Sequence, residues 1–124
     1  LPTMELTLFD HLELLGGFLI LHVVVSEEPL IDAIGREALA RTSIIGREFE
    51  IILCPGLSGK ELSVTLYHEV LEAAAVASDD PPESLIEFNE GDFDTAAYAA
   101  HEQFGPVSPA TLNLMLRSHG FAEP

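Results

Sequence analysis

From Leu62 to Ala77 the chain carries no charge except at His68, Glu69 and Glu72, three polar groups set into an otherwise largely apolar run. Leu62, Leu66, Val70 and the Ala73/Ala74 pair recur at helical spacing, and Ser58 with Glu61 three residues on forms a capping-box signature. A long helix from about Gly59 to Ala77 is therefore predicted. Val70, Leu71 and Ala73 to Val76 surround the polar trio, so such a helix needs cover on most of its sides. A solvated polar stripe is the plainer alternative for the trio, and the apolar surroundings argue against it. Burying a histidine with carboxylates requires neutralisation by a cation, a proton or an arginine.

The rest of the chain must supply that cover. Phe18 to Val25 is a continuous apolar run, the pattern of a strand covered on both faces, with His22 buried or at an edge. Arg47 to Cys54 reads as a second strand, with Phe49, Ile51 and Leu53 on one side and Glu48, Glu50 and Ile52 on the other, stopped by Pro55-Gly56. Leu6, Phe9, Leu12 and Leu14/Leu15 suggest a short helix ended by Gly16-Gly17. Pro29 to Arg41 reads as an amphipathic helix through Leu30, Ile31, Ile34, Ala38 and Leu39. After the break at Asp79-Asp80-Pro81-Pro82, Asp92 to Phe104 reads as a helix closed by Gly105-Pro106, and Ser108 caps a last one through about His119. The predicted order is α, β, α, β, then three helices. The expected fold class is α/β (α+β), a short sheet packed against the motif helix and further helices, in one domain over residues 1–124.

Charge narrows the partners. Twenty-one acidic residues against 5 Lys and Arg give a formal charge of −16, which opposes binding to nucleic acid or an anionic membrane. Leu14 to Val25, the longest apolar stretch, is too short to span a bilayer and follows an acidic segment, so neither a membrane helix nor a signal peptide is expected. The single cysteine, Cys54, excludes an intramolecular disulfide and a cysteine-rich zinc cluster, points to a reducing cytoplasm, and reads as a buried, inert thiol.

On a helix, residues four apart differ by about 40° in azimuth, so His68 and Glu72 can bind one ion from the same face, with Glu69 about 100° round. In a catalytic zinc helix the first and fifth residues ligate and the second is a carboxylate that takes a proton from the activated water. Glu87, Glu90, Asp92, Asp94, His101 and Glu102 follow the helix break and are all open as third ligands. His101 is seven residues from Asp94 on nearly the same face, and can alternatively cap its helix. Tyr67 and Tyr98 fit the core better than a reacting group. Cys54 has no evident base nearby in sequence, and Ser58-Gly59-Lys60 lacks a complete phosphate loop.

The layout of residues 50–74, EIILCPGLSGKELSVTLYHEVLEAA, is strand, short loop and then HEVLE helix, and Asp94-Thr95-Ala96-Ala97-Tyr98-Ala99-Ala100 follows. Over residues 50–106 the chain resembles the zincin metallopeptidases, particularly the ImmA/IrrE type. The resemblance implies an edge strand ahead of the metal helix, His68 as first ligand, Glu69 as general base, Glu72 as second ligand and Asp94 as third. It implies a divalent cofactor, zinc first, and a peptide or protein substrate. The family ordinarily has a second histidine where this chain has Glu72. One histidine with two carboxylates moves preference towards manganese or iron(II) and makes a bound water less acidic. The alternative is a non-catalytic interaction or regulatory protein on the same scaffold.

Overall fold

A computed structural model describes residues 5–123. Four strands form the main sheet in the order β1 (Leu12–Leu14), β2 (Phe18–Val25), β6 (Glu48–Leu53), β5 (Ala40–Ile45). β1 and β2 are an antiparallel hairpin through Gly16-Gly17, and β5 and β6 another through Gly46, where φ is +63°. β2 and β6 run parallel in the middle, with an irregularity between Ile20 and His22. Three helices follow: α1 (Gly59–Ala77), α2 (Glu90–Phe104) and α3 (Pro109–Ser118). The architecture is mixed α/β, as expected, and among the described residues no helix is long and apolar enough to cross a membrane.

The core lies between one face of the sheet and the helices. Phe18, Ile20, Val23, Phe49, Ile51 and Leu53 point into it, and α1 returns Leu62, Leu66, Val70, Ala73 and Ala74. α1 also buries Ser63, Val64, Thr65, Tyr67, His68 and Leu71, so its middle is enclosed from most directions as its composition demands. It is packed by β5, α2 and α3. Outside this core, Val24 and Val25 are exposed and Leu19, Leu21 and His22 half-buried, so β2 is covered on one face rather than both. His22 sits 4.0 Å from Glu50 on that outer side.

The segment predicted as a helix over Pro29 to Arg41 is instead a two-stranded arm, β3 (Leu30–Ile31) and β4 (Glu37–Ala38), running into β5. Asp32 organises its turn: the carboxylate accepts from the Ile34 and Arg36 N–H groups, and the Asp32 N–H donates to the Arg36 carbonyl. Gly35, at φ +84°, completes a turn in which a side chain would be strained. Six paired positions between β5 and β6 then outweigh the weak helical periodicity. The N-terminal helix also shrinks, to a 3₁₀ turn at Leu6–Phe9, before positive-φ His11 leads into β1. A further correction concerns the strand ahead of α1, expected at an edge: β6 is interior and β5 holds the edge.

Helix ends show which caps operate. The Ser58 side chain makes no capping bond, contrary to expectation, although α1 starts at Gly59. Asn89 caps α2 with a reciprocal capping box to Asp92, which moves the start of α2 two residues ahead of the predicted Asp92. Ser108 caps α3 as expected. Asn89→Ala is therefore expected to lower stability by about 1 kcal/mol, and Ser58→Ala by less than about 0.5 kcal/mol. Urea denaturation measures both, and equal losses would contradict this assignment of caps.

Candidate metal centre

His68 lies in the middle of α1 and is 8% exposed. Its ring faces the first two turns of α2, where Asn89 fixes the helix start and thereby places Glu90 and Asp94 one turn apart. The two carboxylates take opposite edges of the imidazole. Asp94 Oδ1 is 2.6 Å from Nδ1, and Glu90 Oε2 is 3.1 Å from Nε2. Glu72, one turn along α1, brings Oε2 to 3.8 Å from the same Nε2. That separation is too long for a hydrogen bond, so Glu72 acts on the ring as a charge.

Glu69 faces the sheet edge, where the Thr42 hydroxyl of β5 donates to its Oε1 at 2.9 Å. His68, Glu69 and Glu72 each offer a ligand atom within 4.8 Å of one another, the spacing a shared cation needs. Of the residues predicted for the site, His68, Glu69 and Glu72 thus converge. Asp94 also reaches His68, but on the nitrogen turned away from Glu72.

The other expected contributors have different occupations. His101 Nδ1 is 2.8 Å from the buried Ser63 hydroxyl, which also accepts from the Val107 N–H, so His101 ties the α2–α3 connection to α1. Tyr67 is fully buried and donates to the Gly105 carbonyl. Tyr98 is exposed beside Lys60, which bridges to Glu102. Cys54 is half-buried rather than buried. Thr42 escaped the sequence reading altogether, because its strand was not recognised there.

The cluster perturbs its own protonation. Burial opposes a charge on His68, but Glu72 and Asp94, with the charge of Glu69, outweigh it and raise the ring to about 9. Burial raises Glu69 above the usual carboxylate range, against the pull of Thr42. Contact with Glu72, then burial, lifts Glu90 to about 7, while proximity to His68 holds Glu72 down. Without an ion, the N–H protons of a charged His68 ring therefore draw these carboxylates together. Among the described residues no buried side-chain polar atom lacks a partner. A divalent cation at Nε2 would replace the proton there, the exchange by which such sites normally load.

Two clefts meet at the cluster. One of about 320 Å³ is lined by Leu39, Val64, His68, Glu69, Asp94 and Tyr98 among others. The second, of about 480 Å³, reaches from Arg36 and Ile44 to Glu69, Glu72 and Val76. Ala40, Glu69 and Glu90 border both, so the two adjoin as one groove between β5, α1 and α2. Concavities of about 530 and 760 Å³ elsewhere contain no histidine or cysteine.

No family model matches the chain, and no curated protein or solved structure matches it either.

The raised His68 sets a pH dependence for the ion-free protein. A charged ring favoured by the fold stabilises it fully below the ordinary value of 6.5, and that contribution is lost as pH rises through about 9. Chelator-treated protein is expected to lose on the order of 1–3 kcal/mol between those limits, read as a falling urea midpoint. His68→Gln should remove most of the slope, and a flat wild-type profile would contradict the proton-held cluster.

Proposed function

We propose that the chain binds a divalent cation through His68 Nε2, Glu72 and Glu90, and that it hydrolyses peptide bonds there. The observation that carries this is the His68 ring, nine-tenths buried, with carboxylates at both nitrogens. Asp94, on Nδ1, is assigned to fix the tautomer and orientation of the ring, the usual task of a carboxylate behind a ligating histidine. Glu90, one of the alternatives the residues left open, takes the place that the family resemblance gave to Asp94, because it and Glu72 address the same nitrogen. The donor set suits zinc, with manganese and iron(II) as alternatives because two of three ligands are carboxylates.

When bound, the cation supplies Lewis acidity, polarising a carbonyl and acidifying water. Glu69 is the general base: it follows His68 on α1 and stands beside the groups that would hold the ion, without being required as a ligand. It would accept the proton of the attacking water and return it to the leaving amine. Among the described residues no strand pairs with the outer edge of β5, and an extended chain could lie there beside the groove, which supports a peptide substrate. A second reading, a non-catalytic interaction domain on this scaffold, is favoured by one feature. Four carboxylates around a single histidine weaken the acidity that hydrolysis requires.

Protein purified without chelator is expected to carry about one equivalent of metal. His68→Ala and Glu72→Ala should empty the site, and Asp94→Asn should weaken affinity by about 10- to 100-fold. Unchanged metal content in His68→Ala and Glu72→Ala would refute the site. Peptidase activity in the wild type that disappears in Glu69→Gln selects the enzyme, while metal binding without cleavage selects the interaction domain.

A further inference from the structure

Glu69 stands close enough to His68 and Glu72 to be a ligand itself, yet the proposed chemistry needs it as a base. The two roles are incompatible, since a carboxylate that donates its lone pairs to a cation is a poor proton acceptor. What separates them lies on a different element. Thr42 projects from the core-facing side of edge strand β5, in register with Ile51, and its hydroxyl donates to Glu69 Oε1 at 2.9 Å. Glu69 is half-buried on α1 opposite this strand and borders both clefts, which leaves its carboxylate room to move. The hydrogen bond holds one of its oxygens, Oε1, at the sheet.

Resting on the cation-binding reading above, we propose that Thr42 is a positioning residue that holds Glu69 outside the coordination sphere and thereby reserves it for proton transfer. The alcohol satisfies the carboxylate without neutralising it, which a lysine or arginine at this position would do by pairing. It also couples the base to β5, the strand along which the groove runs.

The consequence concerns the number of protein ligands on the ion. With Thr42 in place, cobalt(II) should be held by His68 and two carboxylates, giving the intense visible absorption of a four-coordinate ion. Without the hydroxyl, Glu69 is free to swing onto the cation, which raises the coordination number and weakens the absorption. Valine is nearly isosteric with threonine and suits a strand, and serine restores the hydroxyl.

The test is titration of the metal-free protein with cobalt(II), followed by visible absorption. Wild type and Thr42→Ser should share the intense spectrum. Thr42→Val should show weaker bands and tighter cobalt binding, and adding Glu69→Ala to Thr42→Val should bring the intense spectrum back. A purely structural role for Thr42 would change melting temperature but not this pattern. If Thr42→Val gives the wild-type spectrum and affinity, the positioning role is overturned while the cation site stands. If the wild type gives no cobalt bands, the cation site is overturned and the positioning role with it.

Discussion

The site depends on one arrangement: an imidazole buried in the packed middle of α1 with acidic groups on both of its edges. Glu69 and Glu72 are half-buried beside the ring, and Glu90 and Asp94 reach it from the exposed side. A neutral ring would therefore leave the inner carboxylates without a positive centre and crowding their neighbours. The cluster escapes both costs by binding protons, which is why His68 is raised to about 9 and Glu90 to about 7. A ring that keeps its proton up to about 9 is also one where a divalent cation has a proton to displace.

The fold serves this arrangement through a few local devices. The β5–β6 hairpin brings Thr42 over Glu69. The Asn89 capping box fixes the start of α2, so that Glu90 and Asp94 straddle the ring. Ser63 and His101, together with Tyr67 and the Gly105 carbonyl, tie α1 to the end of α2 and the loop beyond it. These polar ties fix the angle between α1 and α2 more specifically than the alanine-rich contact of the two helices would.

Much of this was legible in the sequence where a local pattern and its tertiary environment agree. α1 begins and ends where its composition says, because Pro55-Gly56 and Asp79 to Pro82 bound an apolar stripe that the core needs. β6 alternates clearly, and its inward residues Phe49, Ile51 and Leu53 are all fully buried. The segment from Pro29 to Arg41 misled because Ile31 and Ile34, read as a helical face, are exposed on a hairpin arm whose turn depends on Asp32 and Gly35. Its β5 continuation pairs with β6, a contact that periodicity cannot register. Within the site, Glu90 and Asp94 were both candidates, but a helix read from Asp92 leaves Glu90 outside it, so their one-turn relation was missed. Which of them would face Nε2 depends on the angle between two helices, and no single-sequence pattern encodes that.

Diffraction from zinc-loaded crystals at the zinc absorption edge locates the ion without assuming ligands. One anomalous peak is expected, bounded by His68 Nε2, Glu72 and Glu90, with Asp94 still on Nδ1 and Glu69 still on Thr42. A peak between Nδ1 and Asp94, or none within reach of His68, would contradict this placement.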